Sequence, residues 1–367
     1  MSAGGTSRSG LQGSPARFTG PPVLVLAVLL LVSALSVACV TAAVIRFSPR
    51  IGLVDIPVAR SAHIRPRPLG GGIALAAPLF AYGVYGLLAN TQVISLAGLI
   101  GCFVVFVVGL VDDFRPLSLR LRLPLQFSAA ALIVQSLSLP AVDFFLFQLN
   151  LPWLLAALAV VSLVWLCNLV NFMDGIDGIV ATQLLYCSLA CACLIALGAA
   201  PVGAELEREA VLGLCAILAG SALGFLLWNW SPARLFMGDA GSVFCGFALG
   251  LLAFRTLELG LVSVWSWLLL LGSFVADTGV TLLRRALRGV ALSEGHSEHA
   301  YQHLARRWDS HPRVVLSLLA VNVFYLFPLA WLAGIYPQYG VIFAGVGLFP
   351  LAAATGIVGA GKNSAAR

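Results

Sequence analysis

The sequence is poor in charge: Asp, Glu, Lys and Arg make up 10% of its 367 residues, where soluble domains carry about a quarter. So few charges cannot clothe a water-soluble globule of this length, and that class is excluded. Cysteine pairing is missing as well. None of the eight cysteines forms a CxxC pair, and all fall inside apolar runs, where a thiol behaves as a small apolar group. No disulfide framework or zinc site follows. The five histidines include no HExxH, no internal repeat is visible, and the apolar runs do not alternate with polar residues, which excludes a transmembrane β-barrel.

What is present is grease, with 60% hydrophobic residues and a mean hydropathy of +1.00. A spanning helix needs about 20 apolar residues, and eleven stretches qualify: 23–45, 69–89, 92–111, 122–140, 151–170, 179–200, 210–228, 240–257, 261–282, 314–334 and 339–359. The expectation is an all-α, polytopic membrane protein with its site on loops and helix ends. Residues 1–22, rich in Gly, Ser and Pro, read as a disordered tail, 23–359 as one transmembrane domain, and 360–367 as a short cytoplasmic tail. The first apolar run exceeds the 7–15 residues of a signal-peptide core, so it reads as a span. SVAC at 36–39 lacks the leucine usual in a lipoprotein cleavage box.

With the N-terminal tail outside, 17 of the 21 Lys and Arg fall on the cytoplasmic side, leaving Arg8, Arg17, Arg208 and Arg255 outside. The positive-inside rule supports that orientation. The net charge of +6 then marks a cytoplasmic rim facing anionic headgroups or phosphorylated substrates, and nucleic acid is not needed to explain it. Nine of the acids gather on the same rim, with Asp277 in the nearest third of a span.

Five motifs stand there. NLVNFMDGIDG (168–178) sets Asn168, Asn171 and Asp174 at three-residue spacing, close to one helical face, with Asp177 in a glycine turn. A solvated, capped turn explains Asp177 but leaves the asparagines unexplained. GLVDDF (109–114) pairs Asp112 with Asp113, beside Arg115, Arg120 and Arg122; their mutual repulsion is relieved by a divalent cation or an arginine. NWSPARLFMGDAGS (229–242) predicts a helix start with free N–H groups for phosphate and a carboxylate, Asp239, able to hold Mg²⁺ or to serve as a plain N-cap. AHIRPRPLGGG (62–72) sets His63, Arg65 and Arg67 before a glycine-rich helix start that suits oligophosphate, with ordinary positive-inside topology as the competing reading. GHSEHAYQHLARR (295–307) carries His296, His299 and His303. The last two could bind zinc on a helix, but a phosphate-binding or hydrogen-bonding role is favoured without HExxH.

These motifs, in this order together with FVADT (274–278), resemble the polyprenyl-phosphate N-acetylhexosamine-1-phosphate transferases, the membrane family that includes phospho-N-acetylmuramoyl-pentapeptide transferase. The resemblance covers residues 45 to 310. It implies attack by a polyprenyl phosphate, undecaprenyl phosphate in bacteria, on the β-phosphorus of a UDP-N-acetylhexosamine. UMP is released, and Mg²⁺, with Mn²⁺ as the alternative, sits on the diphosphate. By motif it implies Asn171 and Asp239 as metal ligands and Asp112, Asp113 and Asp174 as catalytic groups. Asn168, Asp177, His63, Arg65, Arg67 and His299 become substrate-binding residues. The histidine loop departs from the family's DRxHxHH, since His299 matches the first histidine, His296 replaces the acid, and Tyr301 and Gln302 stand at the later histidines. That points away from the muramoyl-pentapeptide branch and toward enzymes that start O-antigen or other surface polysaccharides from GlcNAc, QuiNAc or FucNAc. The implied setting is the bacterial inner membrane with the site facing the cytoplasm, and a homodimer is compatible with it. A proton-coupled transporter is the rival class, but carriers hold acids near the midplane, often in repeated halves.

Overall fold

The computed structural model describes residues 23–57, 66–91, 93–198, 205–291 and 296–362. His63 and Arg65 lie outside these residues, as does the N-terminal tail. The chain forms α1 (Val23–Phe47), a two-residue hairpin of β1 (Val54–Asp55) and β2 (Arg67–Pro68), α2 (Gly71–Leu88), α3 (Leu96–Phe114) and α4 (Leu119–Val134). A second hairpin, β3 (Val142–Phe144) and β4 (Phe147–Leu149), leads to α5 (Pro152–Met173), α6 (Ile179–Leu197), α7 (Glu205–Asn229) and α8 (Asp239–Glu258). The remainder is α9 (Val264–Leu270), α10 (Gly272–Leu287), the amphipathic α11 (Ala300–Trp308), α12 (His311–Val321), α13 (Phe327–Ile335) and α14 (Gly340–Val358).

Among the described residues nine segments are long and apolar enough to cross a bilayer, with α12 and α13 counted as one through the π-helical turn Asn322–Leu326. Two of the eleven expected spans differ. The stretch 261–282 is bent by 75° where α9 meets α10, and it crosses only if the bent pair counts as one span. The stretch 122–140 shrinks to α4, whose 16 residues reach about 24 Å at 1.5 Å per residue, short of about 30 Å of hydrocarbon. Connectivity nevertheless carries α4 from one rim to the other, because α3 and α5 both end at the same cavity and the chain between them must return. At the far rim Ser138 N donates to Glu258 Oε1 at 2.9 Å, and Trp265 Nε1 donates to the Asp143 carbonyl at 2.8 Å. The β3–β4 hairpin thereby closes that side.

Inside the bilayer helix association rests on packing and on polar contacts satisfied within the protein. Ser33 of α1 donates to the Ile217 carbonyl of α7 at 2.8 Å and meets Ser221 at 3.0 Å. Helices α6, α7 and α8 are the most deeply buried spans, while α1 and α14 leave apolar side chains facing outward, as lipid contact requires.

Candidate active site at one membrane rim

The site is organised around the first residue of α8. Asp113, near the end of α3, accepts from Asp239 N at 2.7 Å and from Ala240 N at 3.2 Å, so one helix caps another. Such caps satisfy amides that a helix start leaves unpaired. Gly238 makes this possible: its φ is +74°, and a Cβ on it would meet the Asp113 carboxylate. Gly72 of α2 and Gly109 of α3 pass so close to the backbone at 239–241 that a Cβ on either would collide with it. The next two amides, Gly241 N and Ser242 N, bond to the Gly238 carbonyl at 3.0 and 2.9 Å.

This corrects the expectation of free amides awaiting phosphate. The first four N–H groups of α8 already have protein partners. The glycine-rich start of α2 is likewise engaged, with Gly71 N and Gly72 N donating to the carbonyls of Phe236 and Met237 at 3.1 and 3.0 Å. Both glycine stretches serve backbone-to-backbone packing, which holds the segment before Asp239 in place.

Asp239 and Asn171 are neighbours: Asn171 Nδ2 donates to Asp239 Oδ1 at 2.9 Å and to Ser242 Oγ at 3.0 Å. Arg122 Nη1 lies 3.0 Å from Asp239 Oδ2 and also pairs with Asp112, which accepts from Leu117 N as well. The Asp239 side chain is 31% exposed, enough to be reached from the cavity. Asp174, at the C-cap of α5, lines the same cavity. Burial, then the carboxylates of Asp239, Asp113 and Asp177, push its carboxyl up to about 8.

Asn168 is turned away, donating to Gln126 Oε1 at 2.9 Å and to the Val164 carbonyl at 2.7 Å. Three-residue steps fall about 60° short of a helical turn, so the asparagine face drifts out of register with the cavity. Arg67 sits on β2 opposite Asp55; Asp55 lines the cavity and Arg67 does not. Asp177 accepts from Ala233 N at 3.1 Å and lies 3.3 Å from His311 Nδ1. Asn229 Oδ1 takes the Gly178 N–H at 3.0 Å, fixing the turn that carries Asp177.

The histidine loop is arranged differently from its sequence reading. His299 is buried under the loop, its Nδ1 3.2 Å from Asp277 Oδ1, and does not line the cavity. Asp277 also accepts from Ala300 N and Tyr301 N, each at 2.9 Å, and so caps α11 from α10. His296 stacks on His299 with ring centres 5.0 Å apart and does reach the cavity, beside Gln302. Burial, followed by His299 and Arg285, pushes His296 down to about 4. The loop is braced by Glu298, 3.3 Å from Arg285 and paired with Arg288.

Together these groups line a cavity of about 380 Å³. Five aspartates face it, Asp55, Asp113, Asp174, Asp177 and Asp239, and no Lys or Arg is among its described lining residues. Residues 95–257 match the profile of glycosyl transferase family 4. Over 304 residues the chain is 30% identical to the probable undecaprenyl-phosphate N-acetylglucosaminyl 1-phosphate transferase of Bacillus subtilis, covering 80% of this chain and 81% of that one. The chain belongs to the polyprenyl-phosphate hexosamine-1-phosphate transferase family. Two further relatives fit the same family: the decaprenyl-phosphate N-acetylglucosaminephosphotransferase of Mycobacterium tuberculosis, 29% identical over 338 residues (84% and 82% of the two chains), and the phospho-N-acetylmuramoyl-pentapeptide-transferase of Synechococcus, 30% identical over 271 residues (66% of each).

The donor set suits a hard divalent cation. Among the described residues no three His, Cys, Asp or Glu side chains form a ready-made metal cage, but Mg²⁺ typically takes one or two carboxylates and completes its shell with water and substrate phosphate. The ionised carboxylates among those facing the cavity repel a diphosphate unless a cation accompanies it. Asp239, which is partly exposed, and the side chain of Asn171 beside it are the residues that would hold such a cation, with Asp174 lining the same cavity. Sequence reading passed over His311 and Asn229, and counted Asp55 only among the rim acids. The histidine–proline pair at 311–312, next to an expected span on the acidic rim, was the available signal for the first.

Proposed function

We propose that the protein transfers an N-acetylhexosamine 1-phosphate, with GlcNAc the leading candidate, from its UDP derivative to undecaprenyl phosphate, releasing UMP. The product starts a lipid-linked surface polysaccharide on the cytoplasmic face of a bacterial membrane. The observation that carries this reading is a carboxylate-lined cavity at the ends of membrane helices, where a water-soluble donor and a lipid phosphate can both arrive. The GlcNAc named in the bacillary and mycobacterial relatives supports the choice of sugar.

In this reaction an oxygen of the lipid phosphate forms a bond to the β-phosphorus. The bond from that phosphorus to the bridging oxygen breaks, and UMP leaves with the oxygen. Such transfers need charge neutralisation and in-line positioning more than covalent help. Bound Mg²⁺ would supply Lewis-acid neutralisation of the diphosphate at Asp239 and Asn171. A phosphate monoester has a second pKa near 6, so the acceptor is largely a dianion at neutral pH and needs no base. That accords with Asp112 and Asp113, whose oxygens are engaged by Arg122 and by backbone amides. Their role is to hold Asp239 and the rim arginine. Asp174 keeps its proton near neutral pH without a cation and can release it when one arrives.

The test is UMP-dependent exchange of label into UDP-GlcNAc by purified protein with undecaprenyl phosphate and Mg²⁺. Exchange that needs both lipid and divalent cation is the expected result. Lipid-independent behaviour, or no exchange with any UDP-N-acetylhexosamine, overturns the reading.

A further inference from the structure

His311 is the first residue of α12 and lies beyond residues 95–257, which the family profile matches, yet its ring lines the cavity. Its Nδ1 stands 3.3 Å from the Asp177 backbone N–H, which donates to it when the ring proton is on Nε2, and 3.3 Å from Asp177 Oδ2, which accepts when the proton is on Nδ1. Asp177 is therefore gripped from three places: its own glycine turn, the Ala233 N–H before α8, and the start of α12. The helix start fixes the backbone that carries the imidazole, since Ser310 caps the Arg313 N–H at 3.4 Å and Pro312 follows at once.

An aspartate at the lip of a cavity would otherwise be free to swing among several rotamers. Here both side chains are mostly covered, 14% exposed for Asp177 and 22% for His311. Burial alone would raise the Asp177 carboxyl, but the hydrogen bonds from His311 and from Ala233 outweigh it and leave the carboxyl below its ordinary value. An ionised carboxylate repels phosphate, so the part of a donor that it can receive is an N–H or O–H group.

We infer that His311 is a positioning residue: by holding the Asp177 carboxylate in one orientation against the cavity wall, it sets the affinity for the nucleotide sugar. The inference rests on the transferase reading of the cavity. It brings α12 into a site whose other described parts come from β1, α3, α5 and the turn after it, the end of α7, the start of α8 with the segment before it, and the histidine loop with α11.

The experiment compares wild type, His311→Ala, His311→Asn, Asp177→Asn and the double variant Asp177→Asn/His311→Ala as full-length purified protein. Steady-state kinetics are measured against UDP-GlcNAc and, separately, against undecaprenyl phosphate. His311→Ala is expected to raise KM for the nucleotide sugar about tenfold with kcat and the lipid KM little changed. His311→Asn, whose amide nitrogen can stand where Nδ1 does, should recover most of the loss. In the Asp177→Asn background His311→Ala should cost little more, because the pair acts as a unit. Unchanged kinetics in His311→Ala, full additivity in the double variant, or equal damage to both substrates overturns the inference. Should His311→Ala fail to fold, His311→Leu, which keeps the bulk and loses the ring nitrogens, takes its place in the kinetics and in the cycle with Asp177→Asn. If the wild type transfers no sugar, the transferase reading falls, and calorimetric binding of UDP becomes the measure: equal affinity in wild type and His311→Ala then overturns the inference as well.

Discussion

Two aspartates in this protein perform the same act in two places. Asp113 of α3 caps α8 through two amides, at 2.7 and 3.2 Å, and Asp277 of α10 caps α11 through two amides at 2.9 Å. The first cap opens on the cavity, and the residue it fixes, Asp239, is partly exposed there. The second is sealed: Asp277 is 3% exposed, and it also receives Thr281 Oγ1 at 3.2 Å and meets the His299 imidazole. The shared chemistry, a carboxylate meeting unpaired helix amides, thus has two outcomes. At α8 it aims a carboxylate into the site, whereas at α11 it anchors the loop that brings His296 and Gln302 to the same cavity. The difference lies in what each capped helix begins with and what surrounds it.

The contrast can be broken by substitution. Asp239→Asn tests the aimed residue itself and should lower transfer by about 10³-fold or more, about 4 kcal/mol of lost transition-state stabilisation, with melting temperature nearly unchanged. Near-normal turnover at saturating Mg²⁺ would remove Asp239 from the metal site. Asp113→Ala should lower transfer by about 10²-fold and destabilise the protein by about 1–3 kcal/mol, the cost of two amides left without their acceptor. Asp277→Ala should reverse the balance, producing the largest fall in melting temperature of the three and only about a tenfold loss of transfer, through displacement of the loop. If Asp113→Ala and Asp277→Ala proved indistinguishable in the ratio of activity loss to stability loss, the two caps would not be doing different jobs.

A smaller effect concerns pH. The Asp174 carboxyl is raised from 3.8 to about 8 in the folded protein. Between those values the folded state holds a proton that the unfolded state has lost, so stability falls as pH rises from about 4 to about 8. The melting curve of Asp174→Asn should be flatter across that window, and a slope equal to wild type would contradict the charge crowding described for the cavity. Smallest of all is the expected effect of a fusion. A reporter active only outside the cytoplasm should be silent after Arg367 and active near Glu207, and the reverse pattern would place the cavity and both caps on the other side of the membrane.

Much of the rim was legible in the chain because its polar residues stand out against apolar runs. Asn171, Asp174, Asp177 and Asp239 are conspicuous for that reason, and the structure assembles them around one cavity. Asn168 stood out equally, yet helical drift turned it toward Gln126. His299 drew attention as a motif histidine and is buried, while His296 beside it reaches the cavity. Local spacing cannot tell these two apart, because the choice depends on where Asp277, 22 residues earlier, sets the start of α11.

The sequence by itself determined the solvent, the class of element and the rim that carries the chemistry. Apolar run length, together with the need to satisfy every backbone amide in lipid, leaves only helices across the bilayer, and charge can collect only at their ends. Tertiary structure alone decided which carboxylate points into the cavity and which binds a helix end. It also decided that the glycines at 71 and 72 pack against the backbone before Asp239, and that His311 meets Asp177 across 134 positions of chain. Those outcomes turn on contacts between distant segments, where a few tenths of an ångström of backbone approach select one hydrogen-bond partner over another, and a linear pattern carries no record of that distance.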